Sequence, residues 1–485
     1  MGGMFGVVSR EDCVSDLFYG TDYHSHLGTV RGGLAVHSEH GFARAIKDIT
    51  AAPFRSKMQQ DVRAMQGPRG IGVISDDDDQ PLIIGSHLGT YALVTVGRIG
   101  NLGELSSELS RSRRVHFAEV REGGVSPTEL VAALINQCDS IEAGIRHAQA
   151  MIEGSCSLLA LTRDGLYAAR DRLGRTPLVL AAKEGARAVT METCALPNLG
   201  YDAVRFLGPG EVVRVTADEA ETMLPPGEEM QICTFLWVYY GYPASAYEGL
   251  NVEVVRNRCG AALARRDVNQ VDLVAGIPDS GTGHAIGYAN QAGIPYGRPF
   301  VKYTPTWPRS FMPQDQRVRE LVAGMKLIPI PDLIRGRRVL FCEDSIVRGT
   351  QLRDTVGRIF DCGAKEVHMR PACPPLIHGC KFLNFSRSRS VFDLAARRAM
   401  HEMGAEEGEL AQFADPDAPC HSEMVERTRQ RLGLTTLRYQ RLDDLVTAVG
   451  LPKEKLCTYC WDGAENCDRC PSRRQREAPV TLHAK

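Results

Sequence analysis

Residues 339–351 read VLFCEDSIVRGTQ, an apolar run followed by two acidic residues and a glycine turn. The apolar run predicts a buried strand that ends at Glu343 and Asp344, and the loop closing on Gly349 and Thr350 precedes a helix-like segment. Adjacent carboxylates at a strand end can hold sugar hydroxyls and a hydrated Mg²⁺, while a helix N-terminus offers backbone N–H groups to a phosphate. The segment therefore predicts a cradle for a ribose phosphate. The alternative is an ordinary buried strand of a doubly wound sheet with a polar end.

The same succession of strand, turn and helix continues through the C-terminal half of the chain. It recurs in VDLVAGIPDSGTGHAIGYANQ at 271–291, in RRVLFCEDSIVRGTQLRDTVGRIF at 337–360 and in AKEVHMRPA at 364–372. Successive βαβ units of this kind predict a parallel sheet.

The N-terminal half, residues 1–230, follows a different pattern. Short β-rich runs such as YALVTV alternate with Gly-rich turns, and amphipathic stretches near 41–66 and 128–152 interrupt them. This pattern predicts an α+β layered sandwich. The polar segment LPPGEEMQ at 224–231 lies where the two patterns meet, and the Cys- and Arg-rich tail from residue 452 has little core-forming material of its own.

Composition narrows the class of protein. The 485 residues include 57 basic and 59 acidic side chains, so no net field favours nucleic acid or an anionic membrane surface. No apolar run approaches the roughly 18 residues of a membrane-spanning helix, and the first residues do not form a signal peptide, so we expect a cytoplasmic protein. Fifteen cysteines in that compartment favour metal ligation and buried thiols over a disulfide framework.

The segment at 339–351 closely resembles the 5-phosphoribosyl-1-pyrophosphate (PRPP) loop of the amidophosphoribosyltransferases, also called glutamine PRPP amidotransferases. The family pattern is an apolar strand followed by D-D-S-I-V-R-G-T-T, and Glu343 replaces the first Asp. Other segments are also similar to family motifs, and they extend the resemblance over nearly the whole chain. They are VAGIPDSGTGHAIGYANQAGIPYG at 274–297, RSFMPQDQRVRELVAGMKL at 309–327, DRLGRTPL at 171–178 and METCAL at 191–196.

The resemblance implies an α/β protein built from two domains and a tail. Residues 1–230 are expected to form a four-layer domain like the Ntn hydrolases, of the class II glutamine amidotransferase type. Residues 231–451 are expected to form a type I phosphoribosyltransferase domain with a parallel sheet. Residues 452–485 are expected to form a Cys-rich tail that packs on the second domain.

The resemblance also implies which residues bind the substrate and Mg²⁺. The substrate-binding set is Asp279, Ser280, Gly281, Lys302, Arg309, Lys326, Ser345, Arg348, Gly349 and Thr350. The Mg²⁺ set is Ser280, Glu343 and Asp344. One departure lies in the mobile loop, where YTPTWP separates Lys302 from Arg309 and adds two prolines, so we expect altered closure over PRPP.

In the first domain the expected glutaminase residues are missing. The family's mature chain begins C-G-x-x-G, and alignment on Gly3 and Gly6 places Gly2 at the nucleophile, so no thiol can attack from there. Cys13 is followed by Val14-Ser15-Asp16, so processing before it would not recreate the motif. Val96 stands where an oxyanion-hole Asn is expected. The segment 70–79 lacks the family's glutamine-binding Arg, and Pro127 replaces an Asp. The first domain is therefore predicted to keep its fold and to lack glutaminase activity.

Cysteine spacing allows two metal sites. Cys457, Cys460, Cys467 and Cys470 form two C-x₂-C hooks that could bind Zn²⁺, although the gap between the hooks is short for such a site. The resemblance instead implies a structural [4Fe–4S] cluster on Cys233, Cys380, Cys457 and Cys460, the positions used by iron–sulfur members of the family.

The resemblance implies an amidophosphoribosyltransferase-like pentosyltransferase that makes 5-phosphoribosylamine, the first step of purine biosynthesis, from Mg–PRPP and ammonia. The enzyme would be a homodimer or homotetramer. Two alternatives are a non-catalytic paralogue that binds PRPP or nucleotides and regulates a partner, and a transferase that uses another amine.

Overall fold

The computed structural model describes residues 2–111, 116–118, 120–121, 124–268, 270–302, 327–383 and 391–464. Across these ranges, no helix is both long enough and apolar enough to cross a membrane.

Helices and strands are numbered here in chain order. The strands are β1 Gly2–Ser9, β2 Arg31–Ser38, β3 Gly41–Asp48, β4 Arg69–Ser75, β5 Leu82–Ser86, β6 Gly89–Ile99, β7 Val120–Arg121, β8 Gly124–Val125, β9 Gly154–Thr162, β10 Gly165–Ala169, β11 Val179–Lys183, β12 Ala186–Thr190, β13 Asp202–Phe206, β14 Val212–Val215, β15 Ala220–Leu224, β16 Ile232–Cys233, β17 Ala246–Tyr247, β18 Leu250–Asn251, β19 Leu273–Gly276, β20 Phe300–Lys302, β21 Leu327–Pro329, β22 Arg338–Glu343, β23 Glu366–Pro371, β24 Thr436–Leu437 and β25 Leu456–Cys457. The α-helices are α1 Val14–Asp22, α2 Phe54–Ala64, α3 Leu102–Arg111, α4 Pro127–Ile135, α5 Ile141–Met151, α6 Val252–Arg265, α7 Gly281–Ala292, α8 Pro331–Ile334, α9 Thr350–Asp361, α10 Ala395–Glu402, α11 Leu410–Ala414, α12 Pro419–Leu432, α13 Leu442–Val449 and α14 Tyr459–Asp462.

The N-terminal half is a sandwich of two antiparallel sheets covered by helices. One sheet has the order β13-β11-β12-β1-β4-β2-β3, and the other has the order β15-β14-β10-β9-β6-β5. Their facing sides share a core that includes Met4, Val94 and Leu159. Helices α1 and α2 cover the outer side of the first sheet, and α4 and α5 cover the outer side of the second. The predicted four-layer α+β architecture is confirmed, and these residues are called the sandwich below.

The two amphipathic stretches, near 41–66 and 128–152, do not each form a single helix. Residues 128–152 form α4 and α5, which are separated at Ser140, whose hydroxyl accepts a hydrogen bond from Ala143 N and starts the second helix. Within 41–66, only residues 54–64 are helical, because residues 41–48 pair with β2 along the edge of the first sheet. An edge strand with one exposed face has an alternation that can be mistaken for helical periodicity.

The C-terminal half contains the predicted parallel sheet, in the order β19-β22-β23-β24. Helices α6 and α7 pack on one face through residues such as Cys259 and Tyr288. Helices α9 and α12 pack on the other face through residues such as Ile359 and Leu432. Both faces are covered, which explains the nearly continuous apolar run of β22.

A buried polar network joins the sandwich to the residues that precede the parallel sheet. Glu192 is fully buried, and its carboxylate accepts hydrogen bonds from Ser245 Oγ and from Tyr247 Oη at 2.7 Å, with His26 Nε2 at 3.2 Å. Burial opposes ionisation of Glu192, but these three neighbours outweigh it and hold its pKa below the ordinary value of 4.5. Arg170, also fully buried, forms a second link through Glu248 at 2.8 Å.

Replacing Glu192 by Gln is expected to lower the free energy of unfolding by about 2 kcal/mol, because charge-assisted hydrogen bonds in a buried site are lost. Equilibrium urea unfolding at pH 7 measures this change. Glu221→Gln is the matched control, since Glu221 forms an exposed pair with Arg214 at 2.7 Å, and it should change the free energy by less than about 0.5 kcal/mol.

The same pair of variants has a pH signature. Because the pKa of Glu192 is lowered by folding, its contribution is complete above pH 4.5 and is lost as pH falls through the lower folded-state value. The difference between the wild type and Glu192→Gln should therefore shrink below pH 4.5. A difference that stays constant into acid would contradict the ionised state assigned to Glu192.

Candidate functional site

The two predicted PRPP motifs meet at the carboxyl edge of the parallel sheet. Strands β19 and β22 are neighbours, with Gly276 paired to Cys342, so the loops that follow them lie side by side. Gly281, the first residue of α7, approaches β22 so closely that a Cβ atom there would lie 2.3 Å from Cys342 O. Ser280 Oγ donates to Asp344 Oδ2 at 2.5 Å and ties the two loops together.

The predicted Mg²⁺ residues Glu343 and Asp344 lie next to each other at the end of β22. Asp344 is 5% exposed and accepts a second hydrogen bond from Ser345 Oγ at 2.5 Å. Burial, and then the neighbouring charge of Asp344, raise the pKa of Glu343 well above its ordinary value. Two crowded carboxylates with hydroxyl neighbours are hard oxygen donors, and a divalent cation would relieve their repulsion. The residues at this edge therefore fit Mg²⁺.

The phosphate loop follows directly. Gly349 has φ +74°, the left-handed conformation that glycine adopts readily, and α9 begins at the next residue, Thr350. This places the N-terminus of a three-turn helix at the end of the loop, where its free N–H groups can receive a phosphate. Arg348 is exposed, and Arg398 Nη2 donates to its carbonyl at 2.6 Å, which holds the loop against α10.

The basic residues expected to contact pyrophosphate are only partly placed. Lys302 lies at the end of β20, where its Nζ is 2.5 Å from Asp279 Oδ2, so two residues of the predicted substrate-binding set are adjacent. Arg309, Lys326 and the proline-containing loop lie in 303–326, outside the described residues.

The positions that the family resemblance assigns to a glutaminase site also lie close together. Gly2, Val96 and Pro127 line one pocket of about 240 Å³, together with Ser75 and Asp77 from the segment that lacks the expected Arg. The positions that the family resemblance relates to the glutaminase site therefore lie together in the structure. Cys13 is buried directly before the first residue of α1 and is not among the residues lining this pocket.

The strand itself leaves no room for a nucleophile at residue 2. A Cβ atom on Gly2 would lie 2.3 Å from the carbonyl oxygen of Ile74 on the paired strand β4. Contacts below 3.0 Å with backbone require the strands to move apart. Residue 2 thus has neither a side chain nor, with the strands in this position, the space for one.

The sequence interpretation missed a buried carboxylate in the wall of this pocket. Asp78 is buried and accepts hydrogen bonds from Ser126 Oγ at 2.6 Å, Thr128 N at 3.1 Å and Gln80 Nε2 at 2.6 Å. In the sequence, the acidic run at 76–79 attracts attention only because the family's glutamine-binding Arg is absent from this segment. A buried carboxylate that receives three donors at a helix start stabilises the pocket wall, and nothing in its spacing distinguishes it from a solvated charge run.

The four cysteines of the predicted iron–sulfur set converge where the tail meets the sandwich. Cys233 and Cys457 are paired residues of the parallel strands β16 and β25. A side-chain hydrogen bond with Cys460 lowers the pKa of the Cys380 thiol to about 6, and Leu383 N, 3.3 Å from its sulfur, adds to this effect. Arg98 of the sandwich donates to Cys380 O at 2.7 Å.

This donor chemistry fits a metal–thiolate centre, since all four thiols are free and their neighbours include N–H donors to sulfur. Within the described ranges, however, no three His, Cys, Asp or Glu side chains already form a metal-binding group. Cys467 and Cys470, needed for the zinc alternative, lie in 465–485, outside those ranges.

Together, a four-layer sandwich and a parallel sheet with a ribose-phosphate edge define a phosphoribosyltransferase of the glutamine amidotransferase type. A family model described as a glutamine amidotransferase domain matches residues 69–197. The amidophosphoribosyltransferase of Mycobacterium bovis is 31% identical over 476 residues, with 95% of this chain and 85% of the relative covered. That of Methanocaldococcus jannaschii is 28% identical over 491 residues, with 96% and 97% covered. By this similarity the chain belongs to the amidophosphoribosyltransferase family.

Solved structures agree with this assignment. Glutamine PRPP amidotransferase from B. subtilis, complexed with ADP and GMP, superposes with a TM-score of 0.80 at 25% identity, covering 95% of this chain and 96% of its own. A structure described as the allosteric regulatory enzyme of purine biosynthesis superposes with a TM-score of 0.81, also at 25% identity, covering 99% and 100%. The α/β fold implied by the sequence resemblance is confirmed.

The packing at residue 2 can be tested without reference to activity. Gly2→Ala is expected to destabilise the protein by about 1–3 kcal/mol, because the added methyl group forces β1 away from β4. Gly85→Ala is the control, since Gly85 also lies in a strand of the sandwich but has no atom within 4 Å of its added Cβ. It should be neutral or slightly stabilising. Equal urea midpoints for the two variants would contradict the proposed crowding at Gly2.

Proposed function

We propose that this chain transfers the phosphoribosyl group of Mg–PRPP to free ammonia, giving 5-phosphoribosylamine and pyrophosphate, and that its own glutaminase is inactive. The observation that carries the transferase part is the Ser280–Asp344 hydrogen bond, which assembles both PRPP motifs at one edge of the sheet. The observation that carries the glutaminase part is the crowding at Gly2, where an added Cβ atom would lie 2.3 Å from Ile74 O.

The residues at the sheet edge divide the work of the transfer. The N–H groups at the start of α9 bind the 5′-phosphate, while Glu343 and Asp344 orient the ribose hydroxyls and would hold Mg²⁺ with Ser280. Mg²⁺ held by these residues would supply positive charge opposite the departing pyrophosphate. Lys302 exchanges Asp279 for pyrophosphate oxygens. The bond from C1 to pyrophosphate breaks, a C1–N bond to ammonia forms, and the nitrogen releases a proton.

Free ammonia is favoured as the donor because two positions in the sandwich pocket lack the groups that the family uses to release it from glutamine. Val96 has no side-chain donor for an oxyanion, and Gly2 has no nucleophile. The alternative in which another amine replaces ammonia has no support from the described residues. The regulatory paralogue is disfavoured by the complete acidic pair and phosphate loop.

The remaining parts of the proposal concern organisation and cofactors. We place the domains at residues 1–230 and 231–451, with the tail at 452–485 packed on the second domain. A structural [4Fe–4S] cluster would be held by Cys233, Cys380, Cys457 and Cys460. Such a cluster would link the tail to the domain junction. The enzyme is proposed to work in the cytoplasm as a homo-oligomer.

Pyrophosphate release by protein purified without oxygen tests the donor. With PRPP and Mg²⁺ present, we expect release with ammonium and only background release with glutamine. Equal release with glutamine would overturn the loss of glutaminase activity. PRPP binding without release under either condition would overturn the transferase assignment and support the regulatory paralogue.

Asp344→Asn should reduce ammonium-dependent pyrophosphate release on the order of 100-fold, because it removes a charged oxygen ligand and weakens the joint between the two motifs. Asp354→Asn is the control, since Asp354 is an exposed acidic residue of the adjoining helix α9. It should retain nearly full activity. A similar loss in both variants would remove the special role of Asp344.

A further inference from the structure

Arg175 is a buried cation without an anionic partner. The residue is 2% exposed, and no carboxylate among the described residues lies within ion-pair distance of it. Its Nη2 donates to the neutral amide oxygen of Gln231 at 3.2 Å, and its Nε is buried without a hydrogen-bond partner. Buried charges in proteins are normally paired, because desolvating an isolated ion costs several kcal/mol. The position of Arg175 therefore points to a missing negative charge.

The remaining contacts of Arg175 lead to the four cysteines. Its Nη1 donates to Cys457 Sγ at 3.0 Å, and its backbone oxygen accepts from Cys233 N at 3.0 Å. The guanidinium carbon lies 3.4 Å from the centroid of the Phe382 ring, two residues beyond Cys380. The ring face and the sulfur fix the plane of the guanidinium between two of the segments that carry the thiols.

Arg170, a second buried arginine nearby, differs from Arg175 because it has a carboxylate partner. Both arginines lie in the same turn region of the sandwich and both are fully or nearly fully buried. Arg170 has a carboxylate, Glu248, at 2.8 Å and further donates to three backbone carbonyls. Arg175 has only a thiol, an amide and a ring. Arg170 therefore has an anionic partner and Arg175 does not. An anionic group bound by the cysteines would give Arg175 such a partner.

We propose that Arg175 is the charge partner of an anionic iron–thiolate centre on Cys233, Cys380, Cys457 and Cys460. This inference rests on the cluster in the proposed function and adds a positioning residue from the other domain. The N–H···S bond and the full positive charge of Arg175 stabilise the centre, and more so after the centre gains an electron. A [4Fe–4S] cluster with four thiolate ligands carries net negative charge, and its potential responds to nearby charge and to hydrogen bonds to sulfur.

The test compares protein purified without oxygen as wild type, Arg175→Met and Arg175→Lys. Arg187→Met is the matched control, because Arg187 is a half-buried arginine of the sandwich that donates to Asp218 O, on an element away from the cysteines. The readouts are iron and acid-labile sulfide per chain, the midpoint potential of the cluster, and the rate at which its visible absorbance is lost in air.

For Arg175→Met we expect a more negative midpoint potential and a several-fold faster loss of the cluster in air. Arg175→Lys should recover most of the potential, because it restores the charge, and Arg187→Met should match the wild type. An Arg175→Met cluster with the wild-type potential and lifetime would overturn the inference.

If Arg175→Met does not fold, Phe382→Leu decides, because it releases the guanidinium from its ring without removing the charge. A smaller shift in the same direction supports the inference, and no shift opposes it. A wild-type protein that holds zinc, or neither iron nor sulfide, overturns the cluster and this inference together. The ammonium and glutamine assay is independent of that result and continues to test the transferase.

Discussion

The arrangement of the whole molecule depends on the buried carboxylate of Glu192. This buried negative charge is contacted by His26 of the sandwich. It also accepts hydrogen bonds from the hydroxyl groups of Ser245 and Tyr247, which lie in the segment that leads into the parallel-sheet half. Such a group is costly to bury unless each lone pair is occupied, so it fixes the position of the segment at 245–247 relative to METCAL. Helix α6 begins a few residues after this segment, at Val252, and the first strand of the parallel sheet follows α6. Arg170 and Glu248 secure the same segment a short distance away.

This junction gives two N-terminal motifs a structural role that is separate from glutamine chemistry. METCAL contains Glu192, and DRLGRTPL contains Arg175, which reaches the cysteines of the tail. Both motifs thus contact the second half of the molecule. The residues that would touch glutamine face a separate pocket at Gly2 and Val96. Arg98 connects the two regions, since it lines this pocket and also donates to Cys380 O.

Much of the architecture could be predicted from the sequence because its signals are local. The strand, acidic pair and glycine turn at 339–351 carry their own geometry, and the structure places them as expected. The grouping of Gly2, Val96 and Pro127 followed from alignment alone. The edge strand β3 was harder to predict, because its exposed face mimics helical periodicity. The partners of Asp78 and Arg175 could not be predicted, since they come from residues far apart in the chain whose approach depends on tertiary packing.

The close approach of Gly2 to the neighbouring strand has a consequence for the history of such a chain. Once a nucleophile is replaced by glycine, the adjacent strand can settle into the vacated volume and gain packing contacts. The reverse step then requires the strand to retreat before a side chain can return. A cysteine introduced at residue 2 would meet Ile74 O and weaken the pairing of β1 with β4. The packing of these two strands would therefore oppose the return of any side chain to this position.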